Sequence, residues 1–187
     1  MSKKLNKQEI KELELQIAKD NGLTLKKIKF FIGHDKMTGL SCDLYMNGKK
    51  IAYCYDDARG GEMEIDPYTE IHRKTLIDLE GTLKMLPEYQ CTEYDFSLKH
   101  SIEHIVNELA NDYAEQKDLQ KDFRKGIVYK NKKGEIYIRG WAHALPMYIA
   151  MKKESAIANI KRVLQELEEE GYTVMNREYI ATLGVAI

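Results

Sequence analysis

Leu40-Ser-Cys-Asp-Leu-Tyr-Met-Asn-Gly-Lys-Lys-Ile-Ala-Tyr-Cys-Tyr55 decides the fold, because it spells a strand, a two-residue turn and a second strand. Asn-Gly between alternating apolar residues favours a type I′ turn, whose twist matches the flanking strands and fixes their register. With Asn47 and Gly48 as the loop, Met46 is expected to face Lys49, Leu44 to face Ile51, Cys42 to face Tyr53 and Leu40 to face Tyr55. Ile28-Lys-Phe-Phe-Ile32 reads as an earlier strand, joined to Leu40 through the Gly33–Gly39 loop. The meander brings Gly33-His34-Asp35 and Asp56-Asp57-Ala58-Arg59-Gly60-Gly61 to one end of a sheet. That rim is polar and glycine-lined, the kind of place where a rigid scaffold carries binding residues. Met63 and Ile65 extend the sheet by a fourth, edge-like strand, which Asp66-Pro67 ends.

Helical signals surround this meander. Asn6-Lys-Gln-Glu9 is a capping box, followed by the apolar stripe Ile10, Leu13, Ile17 and Ala18, with Gly22 past the end. Thr69 caps a second helix carrying Leu76, Leu79, Leu83 and Leu86, and Pro87 stops it. A third, long helix is expected from about Ser97 to Arg124, with Leu98, Ile102, Ile105, Val106, Leu109 and Tyr113 on its apolar side. Ile127–Lys130 and Glu135–Arg139 bracket Asn131-Lys-Lys-Gly134 as a second hairpin. Trp141 to Met151 is apolar without a clear period. Ser155 to Glu170 is an amphipathic helix on Ile157, Ile160, Val163, Leu164 and Leu167, closed by Gly171, and Tyr172–Met175 returns as a strand. The layout is α+β. It is read as a single domain over residues 1–187, with sub-structure at 1–66 (helix plus meander) and 67–187 (helical, with hairpin 127–139).

Length and composition narrow the function classes. A chain of 187 residues suits one domain, since one near 150 residues already buries roughly 70% of its unfolded surface. Lys and Arg number 29 against 30 Asp and Glu, for a formal net charge of −1. Nucleic-acid binders usually carry a basic excess, so this balance counts against such a partner. No apolar run approaches the ~20 residues that span a bilayer, and no leader pattern opens the chain, so the expected location is the cytoplasm. Cys42, Cys54 and Cys91 have no metal-ligand spacing and leave one thiol over. The derived register puts Cys42 on the face of Leu44 and Ile51 and sets Cys54 opposite Ser41 on the other face. The two are therefore expected not to pair, as reduced thiols in a reducing compartment.

Three constellations carry chemistry. In the rim, His34, Asp35, Asp56 and Asp57 offer one imidazole and three carboxylates, a set suited to Mg, Mn or non-haem iron. Turn chemistry is the competing reading, because Asp side chains cap turns and glycines supply positive φ. Arg59, with Gly60 and Gly61, suits an anion such as phosphate or else pairs with Asp56 or Asp57. His100-Ser-Ile-Glu103-His104 matches the H-x-x-E-H pattern of inverted zinc peptidases, with Glu178 available as a further ligand. On one continuous helix both histidines would fall opposite the Leu98/Ile102/Ile105/Leu109 stripe, so they are expected on the solvated face, away from any walled cleft. Trp141, the single Trp, lies near His143 and could anchor a partner, stack a base or close the core. Lys130, Lys132 and Lys133 make a small basic knob at the hairpin tip. G-x-x-x-x-G-K-[ST], G-x-G-x-x-G, G-x-S-x-G and Cys-x-x-Cys are all missing from the sequence.

Phe30-x-x-Gly33-His34-Asp35, Leu44-Tyr45-x-Asn47-Gly48-Lys49-Lys50-Ile51-Ala52 and Asp56-Asp57-x-x-Gly60-Gly61 together resemble the N-terminal module of small uncharacterised proteins of bacteriophages and other bacterial mobile elements. The likeness covers residues 30 to 61 and brings no catalytic residues with it. It implies an accessory protein acting in a bacterial host's cytoplasm. Such proteins often work by stoichiometric binding, including inhibition of host defence proteins and sequestration of nucleotide signals.

The reading that results is a non-enzymatic binding protein with a counter-defence role. It would inhibit a bacterial host protein or capture a small anionic ligand, without a cofactor or a resident metal. His34, Asp35, Asp56, Asp57, Arg59, Gly60 and Gly61 form its first candidate surface, and Trp141 with His143 a second. The alternatives are a metal-dependent hydrolase or nuclease using the rim carboxylates, and a nucleic-acid-binding module using Lys130–Lys133 and Trp141. Homo-oligomerisation suits so small a chain.

Overall fold

The computed structural model describes residues 3–33, 36–92 and 97–185 and has the α+β architecture. Two compact units, Met1–Tyr113 and Ala114–Ile187, divide the chain.

The first unit runs β1 (Lys3–Leu5), α1 (Lys7–Asp20), β2 (Leu23–Ile32), β3 (Thr38–Met46), β4 (Lys49–Asp56), β5 (Glu64–Pro67), α2 (Glu70–Lys84), β6 (Tyr89–Cys91) and β7 (Ser97–Leu98), and ends within α3 (Ile102–Lys125). The capping box of α1 is complete: Glu9 N–H donates to the Asn6 side chain at 3.0 Å, and Asn6 N–H to Glu9 Oε2 at 2.8 Å. Thr69 caps α2 by accepting from His72 N–H. β2, β3, β4 and β5 form one antiparallel sheet in that order. Its inner face (Leu40, Cys42, Leu44, Ala52 and Cys54) packs with Ile17 and Ala18 of α1, Leu76, Leu79 and Leu83 of α2, and Ile102, Ile105 and Val106 of α3. Each leucine so buried contributes about 2 kcal/mol.

Asn47 (φ +50°) and Gly48 (φ +78°) make the expected turn, and Met46 faces Lys49. The register then slips by one residue. Leu44 faces Ala52, Cys42 faces Cys54 and Leu40 faces Asp56, with Ile51 as the extra residue of a bulge. The bulge exchanges which alternate residues of β4 point inward. Small Ala52 and Cys54 enter the core, while Tyr53 is exposed and Tyr55, half-buried, stacks on Phe31. Cys42 and Cys54 therefore lie directly opposite each other on the inner face, correcting the expectation of opposite faces; both are buried and free.

A second sheet, β1-β6-β7, pairs β1 parallel to β6 and β6 antiparallel to β7. Strands of two or three residues carry no readable period. Ser97 and Leu98 belong to β7, so α3 begins at Ile102 and not at Ser97.

The second unit holds β8 (Gly126–Lys130), β9 (Ile136–Gly140), α4 (Leu145–Glu169), β10 (Thr173–Val174) and α5 (Arg177–Thr182). Its antiparallel sheet has the order β10-β8-β9. The Trp141–Met151 stretch becomes helical from Leu145, with Pro146 in the first turn, and α4 is broken at Lys152 and Lys153. Ile127, Leu145, Ile160, Val163, Leu164, Leu167 and Ile180 form this unit's own core. Asn176, 1% exposed, clamps β8 by accepting from Val128 N–H at 3.0 Å and donating to Gly126 C=O at 2.8 Å. Among the described residues no helix is long and apolar enough to cross a membrane.

Candidate functional site

The rim loops meet as the meander requires. A Cβ added to Gly33 would lie 2.6 Å from Ala58 Cβ, so the two loops touch at that glycine. His34 and Asp35 lie outside the described residues. Asp56 and Asp57 are each engaged by their own loop. Asp56 Oδ1 accepts from Ala58 N–H at 2.8 Å, and Asp57 Oδ1 from Arg59 N–H at 3.0 Å. Each carboxylate thus folds over its own backbone two residues on. Arg59 Nε sits 3.7 Å from Asp57 Oδ2 with its side chain 83% exposed. Gly60 takes φ +78°, and Gly61 is exposed. The hollow that Asp56 lines with Phe30, Gly39 and Asn107 holds only about 110 Å³.

In the second unit Trp141 stacks on Tyr148, with centroids 5.1 Å apart and planes 17° from parallel, and packs against the core. His143 is exposed. At the hairpin tip the Asn131 side chain accepts from Lys133 N–H and Glu135 N–H, which orders the turn that carries the lysines.

A buried polar cluster lies elsewhere in the first unit. Glu14 of α1, Tyr89 of β6 and His100, which precedes α3, are all at most 3% exposed. His100 Nδ1 is 2.8 Å from Glu14 Oε1, and Tyr89 O–H donates to the same oxygen at 3.2 Å. The Tyr89 and His100 rings are 5.1 Å apart. This corrects the placement of His100 on a solvated helix face. The phase of a continuous helix does not apply to it, because the chain is still leaving β7 at that residue. Burial and the adjacent Glu14 carboxylate push the Tyr89 hydroxyl's ionisation well above its ordinary value. Glu14 Oε2 is buried without a hydrogen-bond partner, a state disfavoured by about 1–3 kcal/mol.

Tyr89 and His100 line a pocket of about 530 Å³ whose other walls are Leu5, Leu13, Ile17, Leu86 and Pro87, with Glu9, Glu12 and Glu88 around them. The size and the apolar lining with a few polar groups are those of ligand sites. With Nδ1 taken by Glu14, Nε2 is the ring nitrogen left for the cavity. A more open hollow of about 780 Å³ runs along α2, where Glu80 accepts from Ile102 N–H and Glu103 from Met63 N–H.

Asp43 forms a further cluster on the outer side of the large sheet. Lys50 Nζ lies 2.9 Å and Tyr68 O–H 3.1 Å from its Oδ1. Burial works to raise this carboxyl, but the hydrogen bonds from Lys50 and Tyr68 prevail and hold it below the usual carboxylate range.

A sequence signal for the Glu14 cluster exists. Glu14 falls four residues after Ile10 and four before Ala18, an acid set within an apolar helix stripe, where unpaired acids are almost never found. Among the described residues no three His, Cys, Asp or Glu side chains gather as a metal ion would require. Comparison with family models, curated proteins and solved structures returns no match.

Proposed function

We propose that this chain is a non-enzymatic binding protein that takes a side chain of a partner protein into the pocket beside Glu14, Tyr89 and His100. The pocket is the observation that supports this reading, since it joins apolar walls to a buried, hydrogen-bonded polar base. Its lining carries three glutamates and neither Lys nor Arg. Glu9 caps α1, Glu12 accepts from Gln8 and Glu88 pairs with Lys99 at 3.3 Å. The remaining excess of acid suits a cationic head on an apolar stem more than a small anion. A lysine or arginine side chain has that chemistry. In the bacterial setting implied by the phage-like segment, the partner would be a host protein. Occupancy would inhibit it stoichiometrically, which is the counter-defence role.

The hydrolase or nuclease alternative needs Asp56 and Asp57 free to hold a divalent ion, and the loop hydrogen bonds of both carboxylates weigh against it. The nucleic-acid alternative needs a ring open for stacking, and Trp141 stacks on Tyr148 and packs against the second unit's core.

Calorimetric titration of the full chain with decylamine and with decanoate tests the proposal. Decylamine should bind at one site, about tenfold more tightly than decanoate, a difference of about 1.4 kcal/mol. Leu13→Trp, which fills the pocket from α1, should abolish that binding. Failure of decylamine to bind, equal affinity for the two probes, or binding that survives Leu13→Trp would overturn it.

A further inference from the structure

β9 is the outer strand of the β10-β8-β9 sheet, and all five of its residues are exposed. Ile136, Tyr137 and Ile138 leave 54%, 41% and 43% of their surface in solvent. Sheet edges of natural proteins are usually blunted by proline, a bulge or an inward charge. Between Glu135 and Arg139 this edge has none of them.

The direction of its backbone groups follows from the hairpin. Tyr129 faces Tyr137, Lys130 faces Ile136, and Asn131 N–H donates to Glu135 C=O at 3.1 Å, continuing the same register. Successive residues of an antiparallel strand aim N–H and C=O to opposite sides. Glu135, Tyr137 and Arg139 therefore aim theirs at β8, and Ile136 and Ile138 aim theirs at the open edge.

We propose that this edge pairs antiparallel with β9 of a second copy of the chain, about a two-fold axis at Tyr137. In that register Ile136 faces Ile138 of the other copy, and each exchanges its outward N–H and C=O with the other. Glu135 then faces Arg139 of the other copy. Opposite charges directly across a pair stabilise it, and a two-fold repeats the contact. A slip of two residues in either direction preserves the backbone bonds but sets Glu135 against Tyr137, or Tyr137 against Arg139. Charge thus selects the centred register and selects a second copy as the occupant. Arg139 is 44% exposed and also lies 3.2 Å from Glu166, while the Glu135 carboxylate accepts from Asn131 and Tyr137. The exposed heads leave room for the cross-copy pair beside these contacts. The inference stands apart from the pocket reading, because it rests on other residues.

Sedimentation velocity of the full chain over a concentration series tests it, using the wild type, R139E and E135R/R139E. The wild type should show a dimer fraction that rises with concentration. R139E should lose the dimer, since Glu135 then faces a glutamate, and E135R/R139E should regain it. Both variants lack the Arg139–Glu166 contact, so regain reports the cross-copy pair alone. Hydrogen exchange on the wild type needs no variant: the Ile136 and Ile138 amides should gain protection as concentration rises, with Tyr137 unchanged. A wild type monomeric at every concentration, a dimer unaffected by R139E, a natively folded double variant that stays monomeric, or a dimer without protection at Ile136 and Ile138 would overturn the proposal.

Discussion

The rim and the Glu14 cluster are both acidic, both polar and both in the first unit, yet they are built on opposite principles. Asp56 and Asp57 accept hydrogen bonds from backbone two residues away, at exposed or half-exposed positions. Glu14 takes its partners from 75 and 86 residues away and is sealed from solvent. A carboxylate satisfied by its own loop contributes to the shape of a turn. A carboxylate satisfied by two distant side chains ties α1 to the β1-β6-β7 sheet and to the approach to α3. The second arrangement also leaves an imidazole nitrogen and an apolar wall for something else to meet.

That contrast should appear first in stability. Glu14→Ala strands His100 and Tyr89 without their common acceptor, and leaving buried hydrogen-bonding groups unsatisfied is disfavoured by about 1–3 kcal/mol. The denaturant midpoint should fall accordingly, and a change within experimental error would erase the distinction between the two sites. Asp43 sharpens it with a case that is half local and half long-range. Because its folded carboxyl titrates below the ordinary range, the stability it supplies is fully present above the unfolded value near about 4. That stability is lost as pH falls through the lowered folded value. Thermal melts on an acid series should show wild-type stability falling toward that of Asp43→Asn, whose own profile lacks this component. Two profiles that run parallel down the series would contradict it. The smallest effect belongs to the rim. Asp57→Ala removes one exposed turn hydrogen bond and should lower the midpoint by at most about 1 kcal/mol. A loss as large as that of Glu14→Ala would mean the rim is more than turn chemistry.

The same contrast explains how much could be read from the chain. The capping box at Asn6–Glu9, the Asn47-Gly48 turn, the Thr69 cap and the α2 stripe are local and periodic, and they stand where the residues place them. The one-residue bulge at Ile51 escaped, because nothing in a short alternating pattern distinguishes Ala52 and Cys54 inward from Tyr53 and Tyr55 inward. The two- and three-residue strands β1, β6 and β7 escaped for want of period, and with them the true start of α3 and the burial of His100. The meeting of the rim loops was legible, since Gly33 and Ala58 follow from hairpin geometry. The Glu14 cluster was legible only as an anomaly, an acid on an apolar stripe, with Tyr89 and His100 nameless until the chain is folded.

A double-mutant cycle over Glu14→Gln and His100→Gln, read by denaturant midpoints, tests most directly whether these distant residues act as one buried unit beside the pocket. The predicted result is a coupling energy of about 2 kcal/mol, with the double variant less destabilised than the sum of the singles. Additive losses, or singles that leave the midpoint unmoved, would contradict the account.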